Sequence, residues 1–215
     1  LFIKLDGNGN IQWSKLMAAA DWYCHPKKVI PAAGGGYFVC GYMMEYNTGT
    51  GYGMLMKLDA NGDLSWYKHI TGSSIDSMLV FTDMYQLSNG QLVLISSLGI
   101  GSCNMLLITD GNGQVLKRAS FGNSSMAYAE LGLGVVNNTD ILLSANFTDS
   151  TFSATSSHLY RSDGTSMLWC EMNQPSTYEF SLFYNPVILN SGFITNGYTL
   201  SVQPGGVNIS PPLNL

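Results

Sequence analysis

The side chains able to do chemistry are few and scattered. Three histidines occur, His25, His69 and His158, and none is followed at i+2, i+3 or i+4 by a second metal ligand. The motif of a helical zinc protease is therefore missing. The four cysteines, Cys24, Cys40, Cys103 and Cys170, form no CxxC pair, so their spacing does not fit a thiolate zinc site. Gly72-Ser73-Ser74 and Gly122-Asn123-Ser124-Ser125 lack the GxSxG turn that presents a nucleophilic serine. Glycoside hydrolysis needs two carboxyl groups roughly 5–10 Å apart. Asp21, Glu45, Asp76, Asp83 and Glu130 could contribute to such a pair, and nothing in the sequence selects any two. The turns Asp6-Gly7-Asn8-Gly9-Asn10 and Asp59-Ala60-Asn61-Gly62-Asp63 begin like calcium loops. The bidentate glutamate such loops need at position 12 is replaced by Met17 and Ile70, so a structural turn is the better reading. No catalytic group, metal site or cofactor is expected.

Aromatic residues are the other chemical resource. Trp22, Tyr23 and His25 stand close together, and Tyr46 and Tyr52 flank Asn47-Thr48-Gly49-Thr50-Gly51. Rings beside neutral amides and hydroxyls suit sugars, whose C–H faces stack while their hydroxyls bond. Packing between repeats is the plainer reading of Trp22 and Tyr23. If the chain recognises a ligand, Trp22, Tyr23, Tyr46 and Tyr52 are the candidate contacts.

What must position these residues is a repeat. Ile3-Lys4-Leu5-Asp6-Gly7-Asn8-Gly9-Asn10-Ile11-Gln12-Trp13-Ser14-Lys15 returns as Met56-Lys57-Leu58-Asp59-Ala60-Asn61-Gly62-Asp63-Leu64-Ser65-Trp66-Tyr67-Lys68. A third copy runs from Ile108 to Lys117 around Asp110. A weaker fourth surrounds Asp163, followed by Trp169. A second motif lies between them: Gly35-Gly36-Tyr37-Phe38-Val39, then Asn89-Gly90-Gln91-Leu92-Val93, Asp140-Ile141-Leu142 and Gly192-Phe193-Ile194. Both motifs recur about every 52 residues, and a shared period marks a repeat architecture.

Each motif reads as a hairpin, because Asn-Gly and Asp-Gly between apolar runs supply the positive φ of tight turns. One period therefore holds four strands, A to D. The expected organisation of residues 1–215 is a C–D hairpin at 1–16 and full units at 27–70, 80–121 and 131–172. An A–B hairpin follows at 184–202, with a loop or the start of another strand at 203–215. Apolar residues fill both faces of B and C, as in Leu92-Val93-Leu94-Ile95 and Met54-Leu55-Met56. Such strands are buried on both sides, as stacked sheets allow. The fold expected is all-β: a β-propeller of four-stranded antiparallel blades. It is either a window from a larger ring, the favoured reading, or four blades closed by pairing the last A–B with the first C–D. Trp13, Trp66 and Trp169 share a strand-D position and read as packing between blades.

The A–B and C–D turns lie at one end of each unit, the B–C and D–A connections at the other. The latter, at 17–28, 44–53, 71–78, 99–104, 148–157 and 173–178, differ from unit to unit. Variable loops on a rigid scaffold are where binding usually resides. Charged residues are only 11% of the chain against 46% apolar, whereas soluble domains carry about 25% charged residues. The surface is thus neutral-polar, as suits an exported protein. Net charge is −5 without a basic stripe, so no nucleic-acid partner is expected. No apolar run approaches the ~20 residues of a membrane span. A Cys24–Cys40 disulfide is one option in an oxidising compartment.

The pattern Lys-Leu-Asp-x-Asn-Gly-x-x-x-Trp-x-Lys, with Gly-Gly-Tyr or Asn-Gly-Gln about 30 residues later, resembles the repeats of bacterial secreted and cell-surface β-propellers. Many of these are cargo of the type IX secretion system. The resemblance covers essentially the whole chain. It implies an extracellular or cell-surface location, contact with the secretion machinery, and a non-catalytic binding or adhesion module with a protein or glycan ligand on the B–C/D–A loop face. A carbohydrate-active propeller enzyme and a purely structural spacer are the alternatives.

Overall fold

The computed structural model describes residues 1–17, 20–71, 79–98, 104–121, 126–135, 141–149, 155–162, 167–173, 179–189, 192–203 and 206–210. These are built from strands in antiparallel sheets, without a helix among the described residues. A first, two-stranded sheet pairs β1 (Phe2–Leu5) with β2 (Ile11–Lys15). The second sheet runs β3 (Trp22–Pro31), β4 (Tyr37–Glu45), β5 (Gly51–Leu58) and β6 (Leu64–Ile70). The third runs β7 (Leu79–Gln86), β8 (Leu92–Leu98), β9 (Asn104–Thr109) and β10 (Val115–Phe121). The fourth runs β11 (Met126–Val135), β12 (Ile141–Asp149), β13 (Thr155–Ser162) and β14 (Met167–Asn173). A fifth, three-stranded sheet contains β15 (Glu179–Leu189), β16 (Gly192–Gln203) and β17 (Gly206–Ser210). Strand order follows chain order in every sheet, so each is a meander of hairpins. In the fifth sheet the free side of β16 is taken by β17 and not by β1.

The repeat is visible in the hydrogen bonding. Asp6, Asp59 and Asp110 each accept two backbone amides on Oδ1: from Asn8 and Asn10, from Asn61 and Asp63, and from Asn112 and Gln114, all at 2.8–2.9 Å. The aspartate thereby closes its own turn, and these carboxylates are engaged with N–H groups. In the hairpins β1–β2, β5–β6, β9–β10 and β13–β14 the register slips by one residue, leaving Gln12, Ser65, Leu116 and Leu168 without a cross-strand partner. The first strand of each later sheet also carries an irregularity, between Pro26 and Lys28, Phe81 and Asp83, Met126 and Tyr128, and Tyr184 and Val187. Such bulges bend an edge strand and raise its twist.

Stacking buries both faces of the central strands. From the second sheet Phe38, Cys40 and Leu55 meet Leu79, Phe81, Met84, Leu92, Leu94, Met105 and Leu107 of the third. The opposite face of the third, with Val93, Ile95, Leu106 and Ile108, meets Leu133, Ile141 and Leu143 of the fourth. Fully burying one such side chain contributes about 1.5–3 kcal/mol. The first strand of a sheet makes the approach each time: β7 packs on β3, β4 and β5, β11 on β7 and β8, and β15 on β11, β12 and β13.

The repeated tryptophans stitch neighbouring sheets together. Trp13 Nε1 donates to Ala60 O at 3.2 Å, and Lys15 Nζ reaches Asp63 Oδ1 at 2.6 Å. A Cβ placed on Gly62 would lie 2.8 Å from the Trp13 ring, and one on Gly113 would lie 3.0 Å from that of Trp66. Each ring thus lies on the glycine of the next sheet's turn. The first strands of the second and third sheets are joined by an ion pair, Lys28 Nζ to Asp83 Oδ1 at 2.9 Å, with the Asp83 side chain only 11% exposed.

Candidate functional site

The four aromatic candidates divide between two faces of the second sheet. The sequence places Trp22 and Tyr23 in a connection, but β3 begins at Trp22, which pairs with Glu45, while Tyr23 pairs with Met44. Consecutive strand residues point to opposite faces, so adjacent rings part company. Pro26 conceals this in the sequence because proline reads as a strand breaker. It is tolerated here because β3 is an edge strand and Pro26 adjoins its bulge.

Trp22 and Tyr52 face the first sheet. Their rings lie 5.7 Å apart, and His69 stacks on Tyr52 at 5.5 Å and 18° and lies 5.3 Å from Trp22. Desolvation by these neighbours lowers the His69 pKa below its ordinary value. This cluster borders an open cavity of about 280 Å3 whose lining includes Phe2, Met17, Met43, Met54 and Met56. Cys24 lies in the same lining, its thiol pKa raised by burial.

Tyr23 and Tyr46 project from the other face. They are 46% and 66% exposed, with ring centroids 5.3 Å apart. Two residues along, His25 stacks on Tyr42 at 4.6 Å and 12°, and Lys27 Nζ lies 5.8 Å from the Tyr42 centroid. Tyr42 is absent from the sequence-derived set, since only the pairing of His25 with Tyr42 brings it into line. Together these residues form an aromatic strip at the β4–β5 end of the sheet.

The loop beside the strip is held by its own hydrogen bonds. Tyr46 N donates to Asp21 O at 2.8 Å, and Asp21 takes a left-handed φ of 65°. Gly49 N donates to Glu45 O and Glu45 N to Thr50 O, each at 2.9 Å. Thr48 Oγ1 donates to the Glu45 carboxylate at 2.6 Å. Glu45 is thus engaged by a hydroxyl, as Asp83 is by Lys28. Asp76 and Cys103 lie outside the described residues, as do Asp163 and most of the connections at 71–78, 99–104, 148–157 and 173–178. So do the side chains of Glu130, His158, Trp169 and Cys170.

Cys24 and Cys40 are both free thiols. Cys24 pairs with Met43 and Cys40 with Lys28, so their positions differ by three residues along the strands, about 10 Å. A disulfide spans Cα atoms at most about 7 Å apart. Their side chains also point to opposite faces, and burial, reinforced by Asp83, drives the Cys40 thiol pKa far upward.

No protein-family model and no curated protein matches the chain. Solved structures do. One is the crystal structure of a protein of unknown function from Bacteroides caccae, with a TM-score of 0.51 and 9% sequence identity. The match covers 95% of this chain and 66% of that one, so this chain spans a little under two thirds of its neighbour's length. At that identity the likeness is one of fold.

Proposed function

We propose that this chain is a run of β-propeller blades serving as a non-catalytic, glycan-binding module of an exported cell-surface protein. The observation that carries the binding assignment is the strip of exposed Tyr23, Tyr46 and His25 with half-buried Tyr42, beside a self-braced loop of amides and hydroxyls. Tyrosine offers a rigid face for stacking and a hydroxyl for bonding, and a pre-ordered loop loses little entropy on binding. Sequential antiparallel meanders, with the first strand of the third, fourth and fifth sheets packed against the sheet before, support the propeller reading. The Lys-Leu-Asp-x-Asn-Gly repeat and the uncharged surface support export, with type IX secretion as the route.

The test is glycan-array screening of the wild-type chain beside Tyr23→Ala and Tyr46→Ala. Each substitution should weaken a bound glycan about tenfold or more, as truncating a central tyrosine contact does, with an unchanged melting temperature. Binding that survives both substitutions, or that is lost equally with control changes on other surfaces, would remove the strip from consideration. Export is tested by fractionating cells of the source organism; a wholly intracellular protein would contradict it.

A further inference from the structure

The aromatic strip carries one charge that its surroundings leave unused. β3 bulges between Pro26 and Lys28, so Lys27 has no cross-strand partner. The two lysines of the bulge differ in what they meet. Lys28 Nζ is held by Asp83 Oδ1 at 2.9 Å. Lys27 is exposed and enters no ion pair among the described residues. Its Nζ lies 5.8 Å from the Tyr42 centroid, a contact that is weak at an exposed site. An ammonium has three N–H donors, and one ring face does not occupy them all.

The strip lies on the face turned toward the third sheet. Cys40 and Phe38, two and four residues before Tyr42 in β4, are buried against that sheet. Further along, the same face opens: Tyr42 is half-buried, and His25, Tyr23 and Tyr46 are exposed. Spacing then sets what the strip can hold. His25 pairs with Tyr42 and Tyr23 with Met44, so these two rungs are two residues, about 7 Å, apart along the strands. Lys27 Nζ reaches the first rung, and the Tyr23–Tyr46 ring pair marks the second. A sugar stacked on Tyr23 and Tyr46 therefore sets its neighbour beside Lys27.

Acidic groups at the other end do not cancel the ammonium. Glu45 pairs with Trp22, three residues or about 10 Å from the His25–Tyr42 rung, and its carboxylate already accepts a hydrogen bond from Thr48 Oγ1. Exposed charges that far apart are largely screened at physiological ionic strength, where the Debye length is about 8 Å. The net charge of −5 disfavours a densely charged polyanion and leaves a single carboxylate beside Lys27 as the better match.

Resting on the glycan-binding role of the strip, we propose that its ligand is an acidic glycan: one sugar stacks on Tyr23 and Tyr46, and the next presents a carboxylate to Lys27 beside His25 and Tyr42. The rings hold the chain of sugars, and the ammonium selects its charge.

The probes are uronate-bearing oligosaccharides and the same oligosaccharides with each carboxyl reduced to a hydroxymethyl group, titrated against wild type, Lys27→Gln and Lys27→Arg. Wild type should bind the acidic form about fivefold more tightly, the upper range for an exposed ion pair. Lys27→Arg should keep that preference. Lys27→Gln should bind both forms equally, with its affinity for the reduced form and its melting temperature at the wild-type values. Raising the ionic strength from about 0.1 M to about 1 M shortens the Debye length to about 3 Å and should erase the wild-type preference. Equal wild-type affinity for the two forms, or a preference that persists in Lys27→Gln, would overturn the acidic ligand; if Tyr23→Ala still weakened binding, the glycan-binding role would stand. Tighter binding of a sulfated oligosaccharide than of the uronate would also overturn it. Binding of neither form by wild type would remove both readings.

Discussion

The contact between each tryptophan and the next sheet's turn can be tested by putting a single methyl group between them. Gly9, Gly62, Gly90 and Gly113 all adopt φ between 78° and 85°. An alanine there incurs about 1–2 kcal/mol for the left-handed backbone. At Gly9 and Gly90 that is the whole effect, since a Cβ would meet nothing within 4 Å. At Gly62 the Cβ would lie 2.8–2.9 Å from three atoms of the Trp13 ring. The ring cannot simply retreat, because its Nε1 is bonded to Ala60 O. Overpacking of this kind costs about 1–3 kcal/mol more. Gly62→Ala should therefore lose about 2–5 kcal/mol and Gly113→Ala, with contacts at 3.0 Å, somewhat less. Gly9→Ala and Gly90→Ala should lose about 1–2 kcal/mol. The assay is equilibrium urea unfolding followed by far-UV circular dichroism. In a Trp13→Ala background the excess at Gly62 should vanish, a coupling of about 1–3 kcal/mol. If Gly62→Ala matched Gly9→Ala to within about 0.5 kcal/mol, the tryptophan-to-turn contact would not be holding the sheets together.

Other consequences follow from the same geometry. Lys28→Met strands the nearly buried Asp83 carboxylate and should cost about 3–5 kcal/mol, with Lys28→Met/Asp83→Asn recovering most of it in the same unfolding assay. Lys15→Ala removes a more exposed pair and should cost at most about 1 kcal/mol. Under native conditions a thiol reagent should modify Cys24 and leave Cys40 untouched until the chain unfolds, as peptide mapping by mass spectrometry would show. Cys24 should react slowly at neutral pH because its raised pKa limits the thiolate. The lowered His69 pKa means the unfolded chain takes up the proton first. His69 therefore contributes fully above the ordinary histidine range, and its contribution falls as pH drops through that range toward the lowered folded value. His69→Gln should flatten the decline in melting temperature between about pH 7 and pH 5; a wild-type slope in the variant would refute that origin. The effect is small, because His69 keeps contact with solvent.

How much of this was legible in the sequence depends on the range of the interaction. The Asp-x-Asn-Gly turns are local, closed by a side chain reaching amides two and four residues on, so their positions and period could be read directly. Apolar runs such as Leu92–Ile95 announced burial on both faces, and all four residues are fully buried. Four antiparallel strands per unit followed from these two signals.

Register was not legible, because it depends on pairing partners and bulges that local propensity does not encode. A one-residue shift reverses every side chain. Trp22 and Tyr23 face opposite directions because β3 extends to include both, whereas register is why Cys24 and Cys40 cannot meet. It is also why Tyr42 joins the exposed strip and four methionines gather at one cavity. The sequence alone determined the repeat, its turns and its buried strands, each set by contacts within a few residues. The faces, and therefore the sites, were decided only when strands some 20 to 50 residues apart were brought into register and sheet was stacked on sheet.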